Sequence, residues 1–77
     1  MEIEVEFFGS MMDYSLTGER RITLAVEGGA TVEDVWTKLH IPEDVEGIYL
    51  VNGTYCPEGK ILQQGDVVRI LPMIDGG

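Results

Sequence analysis

One amphipathic segment of helix length, set among short alternating strands, constrains the fold of this chain most. The segment EGGATVEDVWTKLHIP starts after two glycines, and Thr31 is a good N-cap with Asp34 at the third helical position of a capping box. Pro42 disfavours helical geometry at Ile41, so the helix should end by about His40. One stripe, spaced i, i+3, i+4 and i+7, is apolar: Val32, Val35, Trp36 and Leu39. A short helix with one such stripe needs a sheet to cover.

Two alternating strands precede the helix. EIEVEFF and RRITLAV place every second residue on one face, and those residues are apolar: Ile3, Val5, Phe7, Ile22, Leu24 and Val26. The connection GSMMDYSLTGE has no period and should form a loop with a short helical turn. A connection of this length predicts an antiparallel hairpin.

Further strand and turn signals follow the helix. EGIYLVNG reads as a strand that stops at the Asn52-Gly53 turn, and VVRIL reads as a last strand that starts after Gly65-Asp66. Between them we expect a short edge strand at Thr54 to Cys56, a turn at Pro57 to Gly59, and an apolar anchor at Ile61-Leu62. The order predicts an α+β fold, a mixed four- or five-stranded sheet with one helix on one face. The first and last strands should be parallel neighbours in its middle.

Composition narrows the functional classes. The chain has 77 residues, which is one small domain, and a net charge of −9. Nucleic-acid binding needs a basic face, and only Arg20 and Arg21 are adjacent bases, so we expect no nucleic-acid partner. Cys56 and His40 are the only cysteine and histidine, too few for a disulfide or a metal site. We expect Cys56 to be a buried or incidental thiol. No membrane span or leader is predicted, which favours a cytoplasmic protein.

A family resemblance covers essentially the whole chain. The strand and helix order, YLVNG, LQQGDVVRILP and the terminal Gly76-Gly77 resemble the ubiquitin-like β-grasp sulfur carriers. These include the small subunit of molybdopterin synthase, the thiamine-pathway carrier and archaeal small modifiers. The resemblance implies a β-grasp domain over residues 1–72 and a flexible tail over residues 73–77.

The resemblance also implies a function for the tail, formed by Met73, Ile74, Asp75, Gly76 and Gly77. In the family, an E1-like enzyme uses ATP to adenylate the terminal carboxylate, and a sulfur donor then replaces AMP to leave a thiocarboxylate. Gly77 would be the modified residue of a carrier that is not itself an enzyme and binds no cofactor. Glycines without a Cβ can enter a narrow channel, and Pro72 stiffens the base of the tail.

The expected acceptor pathway is molybdopterin-type cofactor biosynthesis, with a larger synthase subunit or a sulfur acceptor enzyme as a further partner. The free carrier is expected to be a monomer. Thiamine synthesis and tRNA thiolation remain alternatives, because Met73 and Asp75 depart from the Pro-Pro, apolar, Gly-Gly tail of molybdopterin-type carriers. The same glycine in a ubiquitin-like modifier would be conjugated to lysines. In a plain interaction module the tail would be idle.

A docking patch is predicted beside the tail on the side of the sheet away from the helix. If Ile48 and Leu50 face the helix, Tyr49 faces out; if Val68 and Ile70 face in, alternate residues of the last strand face out. Exposed apolar patches of this kind mark interaction sites. The patch for the partner enzyme would consist of Phe8, Tyr49, Val67, Arg69 and Leu71.

Overall fold

The elements follow one another in the predicted order. The computed structural model describes residues 1–55 and 59–73. Within them, the strands are β1 (Glu2–Phe7), β2 (Arg21–Ala25), β3 (Gly47–Val51), β4 (Thr54–Tyr55) and β5 (Val67–Pro72), and the α-helix is α1 (Val32–Lys38). The connection after β1 contains a 3-10 helix, Gly9–Tyr14, which is the predicted helical turn. Cys56, Pro57 and Glu58 lie outside the described residues, as does the turn predicted there.

The five strands form one mixed sheet in the order β2-β1-β5-β3-β4. β1 and β2 pair antiparallel as a hairpin, and β1 and β5 pair parallel in the middle, as predicted. The parallel pairing requires a crossover between hairpin and last strand, and α1 lies in that crossover. β3 pairs antiparallel with β5, and the short β4 forms the edge.

The core lies between the sheet and α1. Phe7 and Val5 are completely buried, and Val32, Val35 and Leu39 of the helix stripe are buried too. Among the described residues no buried side chain is polar or charged, so this core is held by apolar contact alone. Only one of the two residues of the predicted apolar anchor at Ile61-Leu62 is buried. Leu62 is buried and its N–H donates to the Ala30 carbonyl at 2.8 Å, whereas Ile61 is 60% exposed.

The facing predicted for β3 is wrong by one residue. Val51 is 1% exposed and pairs with the buried Val68, while Tyr49 pairs with the buried Ile70. Because paired residues in a ladder share a face, Tyr49 and Val51 lie toward α1, and Ile48 and Leu50 face away. Residues 48 to 51 are all apolar, so alternation could not set the phase. The pairing with β5 set it.

Helix α1 is closed at both ends by local hydrogen bonds. At its start, the Asp34 carboxylate accepts the Thr31 backbone N–H at 2.8 Å, which is the predicted capping box. At its end, His40 has φ +59°, the left-handed conformation. The N–H of Ile41 donates to the Trp36 carbonyl at 3.2 Å and that of His40 to the Thr37 carbonyl at 3.0 Å. This is a Schellman ending with histidine where glycine is usual.

We expect His40→Gly to stabilise the protein by about 0.5–1 kcal/mol, since glycine removes the left-handed strain of an L-residue. Thr37→Gly is the matched control; it lies inside α1, where glycine should lower stability by a few tenths of a kcal/mol. Urea unfolding of both variants measures the difference. A loss of stability in His40→Gly would show that the imidazole makes a contact worth more than the backbone strain.

The two turns that carry much of the family resemblance are bonded to each other. Asn52 and Gly53 have φ of 52° and 84°, as in a type I′ turn. The Asn52 Nδ2 donates to Asp66 Oδ1 at 2.9 Å, and Asn52 Oδ1 accepts the Val67 N–H at 3.0 Å. Asp66 Oδ2 accepts the Gln63 N–H at 2.8 Å. The Asn52 side chain therefore holds the start of β5 against the β3–β4 turn.

Asn52→Gly should destabilise the fold by about 1 kcal/mol, because the loss of the side-chain hydrogen bonds outweighs the small relief of left-handed strain at a residue type that tolerates this conformation. A double-mutant cycle with Asp66→Ala, read by denaturant unfolding, should give a coupling energy of about 0.5–1.5 kcal/mol. Additive single and double variants would contradict the predicted coupling.

Candidate functional site

The base of the tail is closely packed on both sides. At residue 9, which has φ +55°, a Cβ would lie 3.1 Å from Pro72 Cγ. At residue 47, which pairs with Pro72, a Cβ would lie 2.8 Å from the Trp36 ring and 3.1 Å from the Leu71 carbonyl oxygen. Only glycine fits without displacing a neighbour. Gly9 and Gly47 thus let the chain leave the sheet at one tightly defined point.

The tail itself begins at Met73, whose side chain is 49% exposed. Ile74, Asp75, Gly76 and Gly77 lie outside the described residues. Their predicted roles, and that of Gly77 as the modified residue, therefore stay predictions. What the structure describes is the end of the central strand β5 at Pro72 and Met73 directly after it.

The open face, the side of the sheet away from α1, carries four of the five residues predicted for the docking patch. Val67, Arg69 and Leu71 alternate with the buried Val68 and Ile70, and Phe8 follows the buried Phe7. Tyr49 is not on this face. The register brings Ile48 beside Leu71 and Leu50 beside Arg69 instead.

The open face is divided into an apolar half and a charged half. The apolar half lies beside the base of the tail and contains Phe8, Ile48, Leu50 and Leu71. Arg20 stacks on the Phe8 ring, with the guanidinium carbon 5.8 Å from the ring centroid. This arrangement gives a partner an apolar surface directly beside the chain end.

In the charged half, two arginines pair with glutamates of β1. The Arg69 Nε donates to Glu6 Oε1 at 2.9 Å, and Arg21 pairs with Glu4. The hydrogen bond and the negative charge of Glu4 both raise the pKa of Arg21, so this arginine remains cationic. Two glutamate charges are thereby compensated on the open face.

Tyr49 lies instead on the helix side, packed edge-on against Trp36 with ring centroids 6.2 Å apart. Both residues are half-buried at the border of the core. The sequence predicted Trp36 to be a core residue, and the structure gives it a second, solvent-facing role at the wall of a groove. Sequence reasoning missed this groove because the loop residues that complete it have no periodic pattern.

Among the described residues there is no cluster of three or more His, Cys, Asp and Glu side chains that could hold a metal ion. Within the same residues, no helix has the length and apolar character needed to cross a membrane.

A comparison with protein families identifies the family of this chain. The model of the ThiS family matches residues 5–77, which includes the helix, the Gly-Gly end and the whole sheet except the first three residues of β1. The chain belongs to the ThiS family. This membership confirms the ubiquitin-like sulfur-carrier family that the sequence resemblance implied. A comparison with curated proteins gave no match.

Solved structures share the fold of this ThiS-family chain. The HVO 2177 protein of Haloferax volcanii has a TM-score of 0.82 and 29% identity over 100% of this chain and 87% of that chain. SAMP1 from the same organism has a TM-score of 0.77 and 24% identity over 100% of both chains. In the complex of subunits 1 and 2 of the molybdopterin-converting factor from Helicobacter pylori, the matching chain has a TM-score of 0.66 and 22% identity over 100% of both chains. These likenesses confirm the predicted β-grasp fold.

Proposed function

We propose that this ThiS-family protein carries sulfur as a thiocarboxylate on Gly77. The observation that carries the proposal is the family match, which extends from β1 through Gly77. The geometry of the tail base supports it, since Gly9 and Gly47 pack closely around the end of β5. A rigid body that ends at a defined point can present a short chain end to another protein with little loss of orientation.

The chemistry explains why another enzyme must act first. A carboxylate is a poor acceptor for a sulfur nucleophile, because oxide would have to leave. When an oxygen of the Gly77 carboxylate attacks the α-phosphorus of ATP, pyrophosphate leaves and an acyl adenylate forms. Attack of sulfide on the acyl carbon then expels AMP and leaves the thiocarboxylate. The carrier contributes the acyl end, and an E1-like partner contributes the ATP site and receives the sulfur donor.

We further propose that the sulfur is used for a molybdopterin-type cofactor. The H. pylori complex pairs a subunit of this fold with a second subunit of the molybdopterin-converting factor. A putative subunit 1 from Pyrococcus furiosus has a TM-score of 0.77 and 23% identity over 95% of this chain and 98% of that chain. The apolar half of the open face would be the docking surface for such a larger subunit, with the tail reaching its catalytic site.

The test is an intact-mass measurement of the full chain after incubation with its activating enzyme, ATP and sulfide. We expect one sulfur-for-oxygen exchange, located at Gly77 by fragmentation, and no change when ATP is omitted. An unchanged terminus with every adenylating enzyme from the same genome would overturn the proposal. Transfer of the sulfur to a molybdopterin precursor, compared with thiamine and tRNA acceptors, decides the pathway.

A second candidate function is that of a ubiquitin-like modifier. Its support is the fold shared with small archaeal modifier protein 1 of H. volcanii, at a TM-score of 0.77 and 23% identity. A lysine amine would attack the same acyl adenylate, or a thioester formed from it, to give an isopeptide. Lysine remnants carrying Gly76-Gly77 in digested cell protein support this function, and their absence under sulfur-replete growth counts against it.

A further inference from the structure

A groove on the helix side of the sheet lies next to the base of the tail. It is open to solvent, has a volume of about 590 Å³ and runs between α1, the loop before β3 and the β3–β4 edge. We call it the acidic groove. Its walls combine aromatic, acidic and thioether side chains: Trp36, Tyr49, Tyr55, Glu43, Glu46 and Met73. It lies mainly on the helix side of the sheet and reaches the β3–β4 edge, where Ile48 and Tyr55, whose register places them on the open-face side, also line it.

The charged side chains among the described residues that line the acidic groove are all negative. None of the described residues that line it is a lysine or an arginine. Glu43 and Glu46 are exposed, and among the described residues neither forms an ion pair. Glu33, also in the lining, accepts the Gly59 N–H at 2.8 Å and adds a third carboxylate. On a chain of net charge −9, this surface attracts cations and repels anions.

The aromatic walls suit the same kind of occupant. Trp36 and Tyr49 meet edge to face at 64°, and Tyr55 is 68% exposed on the edge strand. An arginine or lysine has an aliphatic stem that packs on aromatic rings and a cationic group that is attracted to their faces. A carboxylate rim around aromatic rings therefore complements a basic side chain at both of its ends.

A second copy of this chain has little to offer the acidic groove. Within the described residues, four of its five basic side chains are already engaged. Arg21 and Arg69 pair with glutamates, Arg20 stacks on Phe8, and Lys38 donates to the Ala25 carbonyl. Lys60 is the one described basic side chain without such a contact, and the net charge of −9 on each copy opposes self-association, so the charge of the acidic groove is better matched by a different, basic protein.

We propose that the acidic groove binds an arginine- or lysine-bearing segment of the partner protein that acts on Gly77. The assignment of that partner rests on the proposed function. Met73 lies at once in the groove wall and at the start of the tail, so a segment seated there contacts the chain where it leaves the sheet. The groove thus selects a basic partner by charge while the tail delivers the reactive end, and the two contacts reinforce each other.

The groove can be tested without the partner, because Trp36 is the only tryptophan in the chain and lines the groove. The probe is an end-capped Leu-Arg-Leu-Arg-Leu peptide, with Leu-Gln-Leu-Gln-Leu as the uncharged control. Tryptophan fluorescence and amide NMR shifts follow the titration of the full chain. We expect saturable binding of the arginine peptide with a dissociation constant of about 1 mM or tighter, shifts at Trp36 and Gly47, and weakening by salt.

A pair of charge-matched variants decides whether the groove itself is responsible. Glu43→Gln with Glu46→Gln should weaken the arginine peptide roughly tenfold, as expected for two carboxylates at a partly exposed site. Glu19→Gln with Glu27→Gln, at two exposed positions outside the groove, removes the same net charge and should weaken it less than about twofold. Equal weakening by both pairs, shifts confined to the open face, or no saturable binding would each overturn the proposal.

Self-association is the remaining outcome. Groove resonances that move with protein concentration alone, together with a dimer in sedimentation, would show that a second copy occupies the groove and would also overturn the proposal. Peptide binding needs neither ATP nor sulfide. The groove can therefore fail while Gly77 is still sulfurated, and a groove that binds the peptide does not depend on that reaction.

Discussion

Deleting Gly77 is expected to reduce thiocarboxylate formation by at least about a hundredfold, although the shortened chain still ends in glycine. The deletion withdraws the carboxylate by about 3.5 Å, the length of one extended residue. A misplacement of even about 1 Å can cost about a hundredfold when two reacting groups must be aligned. Deleting Gly76 and Gly77 together should reduce the product to background, because Asp75 then adds both a side chain and a charge at the end.

Two controls distinguish the effect of a shorter chain end from an effect of the deletions on folding. We expect the free energy of unfolding of both deletion variants to match that of the full chain, since the described core residues lie between Ile3 and Ile70 and the close contacts of Gly9 and Gly47 involve residues up to Pro72. Gly76→Ala keeps the length and adds one Cβ, and it should slow the reaction less than the deletions unless the channel excludes a methyl group. Full biological function of a chain lacking both glycines would contradict the carrier function and favour the plain interaction module.

Phe7→Ala is expected to lower the free energy of unfolding by about 3–5 kcal/mol, the range for emptying a buried phenylalanine site. Phe7 is 0% exposed and belongs to the core cluster, on the interior strand β1. A domain of 77 residues has a total stability of roughly 4–12 kcal/mol. The substitution therefore removes a large part of it and can leave the protein partly unfolded at 37 °C.

Phe8→Ala is the matched control, because it removes the same type of side chain at the next residue of the chain. Phe8 is half-buried on the open face, so we expect a loss of about 1 kcal/mol or less. Its effect should appear in partner binding instead. Urea unfolding of the two variants checks the contrast, and similar losses would mean that Phe8 packs in the free protein as tightly as Phe7.

Much of the fold was predictable because local signals agreed with one another. Every second residue of β1 is a glutamate, and the outward positions of β2 include Arg21 and Thr23, so only one phase of each strand could be buried. Thr31 and Asp34 marked the start of α1, and Asn52-Gly53 matched the φ values of a type I′ turn. Pro42 predicted that α1 ends by about His40, but the left-handed conformation of His40 was not predicted, since a positive φ is uncommon for any residue other than glycine.

The candidate site was predictable only for residues whose role follows from their own chemistry and from their position along the chain. The Gly-Gly end, the proline before it and the outward residues of β5 could be named from the chain alone. Tyr49 was misplaced because four successive apolar residues fit either phase of a strand. The acidic groove could not be anticipated, because Trp36, Glu46 and Met73 are far apart in sequence and meet only when β3 pairs with β5 beneath α1.

The sequence by itself determined the element order, the core-facing side of β1 and β2, and the glycine end that a sulfur carrier needs. Those features depend on short-range periodicity and on individual residue chemistry. Only the tertiary structure decided the facing of β3, the Asn52–Asp66 link and the close fit of Gly9 and Gly47 around the tail base. Each of these depends on strand register, which is set by contacts between residues distant in the chain.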